Sequence, residues 1–130
     1  MTLSFSPSAY DALFSHAREG THEEICGVLS GRNSTVSTVH RVPNVADSPR
    51  TRYELDPEKQ LEAIERAESE GELIGFYHSH PEGPTEPSAT DRKQATWPDA
   101  YYVIVSVPDE TVSAWYWTGK EFTEESVELS

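Results

Sequence analysis

The feature that most limits what this chain can be is a pair of histidines at the end of an apolar run. Leu73–Tyr77 predicts a short buried strand, and His78 and His80 follow it with one residue between them. Side chains alternate along a strand, so both imidazoles should point to one side and Ser79 to the other. The pattern therefore brings two metal-ligating side chains to the same side of the chain.

A turn-rich stretch that includes Pro81, Gly83, Pro84 and Pro87 comes next. Ser88 is then placed to begin a short helix, and Asp91, three residues on, lies on the same face of that helix. The Asp91 carboxylate can thus converge with the imidazoles of His78 and His80. Three ligands leave the fourth tetrahedral position open, which is typical of catalytic rather than structural zinc.

This spacing resembles the core of the JAMM (MPN+) metalloproteases, which reads His-x-His, seven residues, Ser, two residues, Asp. Members of that family also carry a glutamate upstream, on a strand that begins Glu-x-Cys-Gly, and Glu24–Gly27 matches it. Residues 52–57 are similar to the segment that precedes the second helix in members of the family. The resemblance therefore covers nearly the whole chain, and the likeness is to the compact archaeal type.

The resemblance implies one domain over residues 1–130, with an α/β fold of the cytidine-deaminase-like kind. That fold is a three-layer α/β/α sandwich with a mixed sheet. The residue pattern by itself predicts a mixed order of helices and strands, with Leu61, Ile64 and Ala67 as the buried stripe of the second helix. Helices are predicted at about 7–18, from 57 to near 71 and from 88, and strands at 24–31, 36–42, 73–77, 101–107, 112–117 and 122–129.

The resemblance also assigns roles to individual residues. His78, His80 and Asp91 would hold one zinc per chain, and zinc lowers the pKa of a water at its open position to roughly 7. Glu24 would take a proton from that water and pass it to a leaving amine, and the Ser88 hydroxyl would stabilise the oxyanion. The residues alone do not choose between the adjacent Glu23 and Glu24; the resemblance chooses Glu24.

Each of these residues also has an ordinary structural interpretation. A His-x-His pair can be packing, Glu24 can be a surface acid, and Ser88 can cap its helix with Asp91 closing a capping box. Three further side chains that could carry chemistry are interpreted as structural: Cys26 as a small buried core residue, His40 as a sheet residue and His16 as a surface or boundary residue.

The expected substrate follows from the compact prokaryotic members of the family. They imply a desampylase-like isopeptidase that cuts after the C-terminal diglycine of small archaeal ubiquitin-like modifiers, in lysine conjugates or linear fusions. Such an extended tail can bind by strand addition. Arg50 and Arg52, in the long connection 43–53, are candidates for binding a carboxylate of the partner.

Three alternatives compete with this function. One is a protease that matures a MoaD- or ThiS-like sulfur carrier, and another is a metal-free MPN scaffold. The third, a zinc nucleoside deaminase, is disfavoured because that chemistry needs a Cys-x-x-Cys motif and this chain has a single cysteine.

Composition limits the partners and the location. The chain has 10 basic and 23 acidic residues and a net charge of −13, which disfavours nucleic acid and anionic membranes. The single cysteine excludes an internal disulfide, and no secretory signal is recognisable, so a cytoplasmic location is expected. The oligomeric state does not follow from the sequence, and a monomer is favoured. Only three basic residues are lysines, which resembles proteins of halophilic archaea and predicts stability that rises with salt.

Overall fold

The computed structural model describes residues 2–20, 22–83 and 85–130, so Pro84 of the predicted turn lies outside the described residues. The described residues form seven strands and three helices. In chain order these are β1 (Thr2–Phe5), α1 (Pro7–Glu19), β2 (Cys26–Arg32), β3 (Thr35–Val42), α2 (Pro57–Glu70), β4 (Glu72–His80), α3 (Ala89–Gln94), β5 (Ala100–Ser106), β6 (Thr111–Trp117) and β7 (Phe122–Leu129).

The seven strands form one mixed sheet, as predicted. Their order is β1-β3-β2-β4-β5-β6-β7, and β1 pairs in parallel with both β3 and β7, so that the sheet closes on itself. The strand that carries the histidines, β4, lies between β2, which is antiparallel to it, and β5, which is parallel. The closing strand β1 was not predicted, because four residues are too few to show a period.

Helices pack on both faces of the sheet, so the three layers of the predicted mixed α/β fold are present, but the middle layer is a sheet that closes on itself. On one face, α1 buries Leu13 and Ala17 in a cluster that includes Tyr77 of β4. On the other face, α2 belongs to a second cluster with Val28 of β2 and Phe76 of β4. Because Phe76, His78 and His80 alternate with Tyr77 and Ser79, both histidines share the face that α2 covers.

The predicted stripe of α2 is partly wrong. Ile64 and Ala67 are buried, but Leu61 is 59% exposed and Ala63 takes its place in the core. Ala63 and Ala67 are one turn apart, and around the helix axis both lie on the side of Ile64 that faces the sheet. Leu61 lies on the other side of Ile64 and points to solvent.

Gly27 explains why β2 can lie so close to its neighbours. A Cβ atom at this position would overlap the carbonyl oxygen of His40 and the ring of Tyr77. Glycine thus sets β2 between β3 and β4 with Cys26 opposite His78.

Among the described residues, no helix is both long enough and apolar enough to cross a membrane.

Candidate active site

The two histidines of β4 face each other as the strand alternation predicts. His78 and His80 are 2% and 8% exposed, and their Nε2 atoms are 3.2 Å apart. Ser79 points to the opposite face, where its hydroxyl accepts a hydrogen bond from the backbone N–H of Ile25 at 3.0 Å. Ile25 in turn accepts at its carbonyl from the Ser79 N–H at 3.0 Å, which extends the β2–β4 pairing toward the site.

The carboxylate of Asp91 completes a compact triangle of ligand atoms. Its Oδ2 is 3.2 Å from His78 Nε2 and 3.0 Å from His80 Nε2. The same oxygen accepts from the backbone N–H of Ser88 at 2.9 Å, while Ser88 Oγ accepts from the Asp91 N–H at 3.0 Å. The capping box and the ligand cluster are therefore both present, and the cap orients the carboxylate toward the histidines.

Glu24 lies on the approach to β2, opposite His80, and reaches the same centre. One ligand atom each of Glu24, His78, His80 and Asp91 lies within 4.8 Å of the other three. Glu24 is 5% exposed, and its Oε1 is buried without a hydrogen-bond partner among the residues that the structure describes. A buried carboxylate oxygen of this kind needs a partner, and a water molecule or an ion can supply one.

The geometry of the triangle fits a metal ion. Nitrogen and oxygen ligands lie about 2.0–2.2 Å from a tetrahedral zinc, which sets them roughly 3.3–3.6 Å apart. The three observed separations of 3.0–3.2 Å are only slightly shorter, so a small outward shift of the side chains accommodates the ion. Two imidazoles and a carboxylate with a second carboxylate beside them are also a typical donor set for zinc.

The protonation states favour metal binding. Burial lowers the pKa of His78, although the contact with Asp91 opposes the shift, and a neutral imidazole is the form that binds a metal. Burial alone would raise the pKa of Asp91, but the hydrogen bonds with His78 and His80 outweigh it and hold the pKa well below its ordinary value. Asp91 is therefore ionised and available as a ligand.

Burial acts differently on Glu24. It raises the pKa of that carboxyl to about 8; the charge of His80 opposes the shift and that of Asp91 adds to it. A carboxyl group with a pKa near neutrality can both accept and donate a proton, as a general acid–base requires.

Tyr53 is a residue of the site that the sequence did not single out for a role. Its ring stacks on the His78 imidazole with centroids 4.1 Å apart and an angle of 16° between the planes. Tyr53 is 4% exposed and also lines a cleft of about 320 Å³ beside the centre, together with Phe76 and Trp97. It lies in a connection without helical or strand periodicity, and the only sequence signal there was the similarity of the segment 52–57 to the family, which gave Tyr53 no role.

Of the two arginine candidates, the structure places one beside the centre. Arg50 lines a cleft of about 440 Å³ that also contains Glu24, His80 and Ser88. Arg52 does not line this cleft, and its carbonyl oxygen accepts a hydrogen bond from the Asn44 side chain. Contact of either arginine with a substrate stays a prediction.

The side chains interpreted as structural lie outside the cluster. Cys26 is fully buried, and burial raises the pKa of its thiol to about 12. His40 is buried and hydrogen-bonds Ser30 Oγ at 2.8 Å. His16 is not a ligand, but the prediction of a surface or boundary position is wrong, because His16 is buried, with 9% of it exposed, and its Nδ1 is 2.7 Å from the Tyr77 hydroxyl.

Comparisons with known proteins find similar sequences over most of the chain. The family profile described as prokaryotic homologs of the JAB domain matches residues 6–118. A desampylase from Haloferax volcanii is 50% identical, over 96% of this chain and 94% of its own length. A CysO-cysteine peptidase from Mycobacterium tuberculosis is 40% identical, over 76% of this chain and 69% of its own.

Solved structures share the fold. A protein from Desulfitobacterium hafniense has a TM-score of 0.86 and 29% identity, covering 100% of this chain and 93% of its own. A JAB1/MPN domain protein from Archaeoglobus fulgidus has a TM-score of 0.65 and 19% identity over 97% of both chains, which shows likeness of fold. The profile match and the identity over most of the chain show that this protein belongs to the JAB1/MPN (JAMM) family, among its prokaryotic members.

Proposed function

We propose that this chain is a zinc-dependent JAMM peptidase that cleaves conjugates of ubiquitin-like modifiers. The observation that carries the proposal is the buried convergence of two imidazoles and two carboxylates on one point. His78, His80 and Asp91 are the residues that would hold one zinc per chain. A zinc ion bound there would act as a Lewis acid that polarises an amide carbonyl. It would also make a water molecule nucleophilic near neutral pH.

Glu24 is the proposed general base and acid. Its carboxylate lies beside the metal ligands but outside their triangle, where it can accept a proton from the attacking water. The leaving amine then takes that proton from Glu24, so the glutamate returns to its starting state.

Ser88 is the proposed donor to the oxyanion. A hydroxyl has one donor and two acceptor positions, and the cap uses an acceptor position for the Asp91 N–H. The hydroxyl proton thus remains available to donate toward the cleft that Ser88 shares with Glu24. Removing one such donor commonly costs about 10²–10³ in rate.

The relatives support the choice of substrate. The Haloferax volcanii protein is named a desampylase, and its 50% identity extends over almost the whole chain. We therefore propose that the substrate is a small archaeal ubiquitin-like modifier, cut after a C-terminal diglycine that joins it to a lysine or to a following chain. An extended diglycine tail suits the clefts around the metal ligands, since its two residues have no side chains to accommodate.

A second candidate is release of an amino acid from a sulfur-carrier tail. The 40% identity with a CysO-cysteine peptidase favours it, as does Arg50, whose cation lines the cleft at Glu24 and could bind a free carboxylate. A metal-free scaffold is disfavoured because an interaction module needs no buried ligand set. We also propose that residues 1–130 act as one domain, in the cytoplasm and as a monomer.

The test is incubation of the purified protein with two synthetic substrates. One is a modifier joined through its diglycine to a lysine side chain, and the other is the same modifier carrying one extra C-terminal cysteine. Cleavage of the first, abolished by a chelator and restored by zinc, supports the isopeptidase. Cleavage of the second alone supports the sulfur-carrier function, and cleavage of neither contradicts both.

The Glu24→Gln protein is the control in both reactions. It keeps the size of the side chain and removes the base, so it should hold zinc but cleave neither substrate. Normal turnover by Glu24→Gln would remove this residue from the mechanism.

A further inference from the structure

The side chain of Asn44 joins the proposed base to the loop that follows β3. Its Nδ2 donates to the carbonyl oxygen of Glu24 at 2.9 Å and to that of Arg52 at 3.0 Å. Its Oδ1 accepts from the N–H of Ala46 at 3.0 Å and from the N–H of Glu54 at 2.9 Å. A primary amide has two donor and two acceptor positions, so these contacts occupy all four.

Two of these bonds fix the residue that stacks on a metal ligand. Arg52 and Glu54 are the neighbours of Tyr53, so Asn44 holds the backbone on both sides of that tyrosine. The ring of Tyr53 lies 4.1 Å from the His78 ring and nearly parallel to it. Because the ring torsion of histidine is broad, a stacked neighbour is an effective way to limit its rotation.

The loop also holds Glu24 from its other side. The N–H of Glu24 donates to the carbonyl oxygen of Pro49 at 2.7 Å, and its carbonyl accepts from Asn44. Both backbone polar groups of Glu24 are therefore bound by residues 44–49. One ordered loop thus contacts the proposed base through hydrogen bonds and the ligand His78 through the Tyr53 ring.

We propose that Asn44 is a positioning residue that sets the distance between the Glu24 carboxylate and the His78 imidazole through residues 44–54. The inference rests on the proposed function, because that distance matters only if Glu24 serves a metal centre that includes His78. Asn44 itself touches neither the metal ligands' donor atoms nor the reacting groups. Its effect is geometric, and a misplacement of about 1 Å in such a site can cost roughly 10²-fold in rate.

The decisive variant is Asn44→Asp, which keeps the shape and the acceptors but removes both donors to Glu24 and Arg52. The matched control is Asn33→Asp, the same chemical change in the exposed β2–β3 turn. We expect Asn44→Asp to bind one zinc, to lose about 10–100-fold in kcat with a smaller change in KM, and to shift the visible absorption spectrum of the Co²⁺-substituted protein. Asn33→Asp should match the original protein in all three measurements.

A second pair of variants leaves Asn44 unchanged and tests the contact between Tyr53 and the proposed metal ligand His78. Tyr53→Phe keeps the aromatic ring and should keep the cobalt spectrum, whereas Tyr53→Leu removes the stack and should change the spectrum and weaken zinc binding. This pair also decides the question if Asn44→Asp fails to fold.

The inference is overturned if Asn44→Asp keeps both kcat and the cobalt spectrum, or if Tyr53→Leu gives the spectrum of the unaltered protein. Failure of the proposed function would look different, since the unaltered protein would then bind no zinc or cleave no conjugate.

Discussion

Ser88 combines a structural and a proposed chemical role in one hydroxyl group. Its Oγ caps α3 by accepting from the Asp91 N–H, and the same hydroxyl faces the cleft at Glu24. Ser88→Ala should therefore lose about 1 kcal/mol of stability, as expected for an N-cap, and about 10²–10³ in kcat.

Ser6→Ala is the control for the cap, because Ser6 caps α1 by accepting from the Ala9 N–H at 3.2 Å. It should show a similar loss of stability in urea unfolding and no loss of rate. If Ser88→Ala and Ser6→Ala cleave substrate at the same rate, Ser88 acts only as a helix cap.

His16 gives the folded protein a dependence on pH. Burial lowers the pKa of His16 to about 4, with Arg41 adding to the shift and Glu19 opposing it; the ordinary value is 6.5. Between these values the unfolded chain binds a proton at His16 and the folded chain does not, so the free energy of unfolding should fall as the pH drops from 6.5 to 4.

His16→Gln should make the urea midpoint less dependent on pH in this window, because glutamine can still bond the Tyr77 hydroxyl but does not titrate. Ser8→Gln, at an exposed position of the same helix that carries no titratable group, serves as its control and should keep the original slope. An unchanged slope in His16→Gln would show that another group causes the pH dependence.

At the scale of elements, β2 must approach β3 and β4 closely for Glu24 to reach the histidines. Gly27→Ala should destabilise the protein by at least about 1–3 kcal/mol, the usual cost of overpacking, because its Cβ would overlap His40 and Tyr77. Gly83→Ala is the control, since its nearest contact would be an ordinary 3.7 Å to His80 Cβ. If the urea unfolding curves of Gly27→Ala and Gly83→Ala coincide, this packing argument is contradicted.

The elements that the sequence predicted well are those with a local cause. Ser6 begins α1 and Ser88 begins α3 through side-chain caps. Pro57 is the first residue of α2, although Asp56 before it makes no side-chain cap hydrogen bond. The β4 alternation correctly placed both imidazoles on one side.

The missed parts depend on contacts between distant residues. β1 exists because β3 and β7 pair with it, and Leu61 is exposed because the sheet accepts the alanine side of α2. The roles of Asn44 and Tyr53 follow from a loop folding back on Glu24 and His78, which no periodicity in residues 43–54 can show.

At the scale of the whole molecule, the dominant feature is an excess of negative charge. The net charge is −13, and some of the few basic side chains are paired, as Arg41 is with Glu19 at 2.7 Å. Dissolved ions shorten the range of the remaining repulsion to roughly 3 Å at 1 M. The thermal midpoint should therefore rise between 0.1 and 2 M KCl.

The control for the salt effect is a variant with less negative charge and the same core. Glu124 and Glu128 are exposed on β7, and replacing both with lysine should reduce the dependence of the midpoint on KCl. Full stability and activity of the original protein in dilute buffer would count against adaptation to a salt-rich cytoplasm.

The zinc content of three purified proteins tests the central claim most directly. The unaltered protein and Glu24→Gln should each hold about one zinc per chain, while His80→Ala should hold almost none, because it loses one of the three proposed ligands. Equal zinc in His80→Ala, or no zinc in the unaltered protein, would contradict the assignment of His78, His80 and Asp91 as the metal centre.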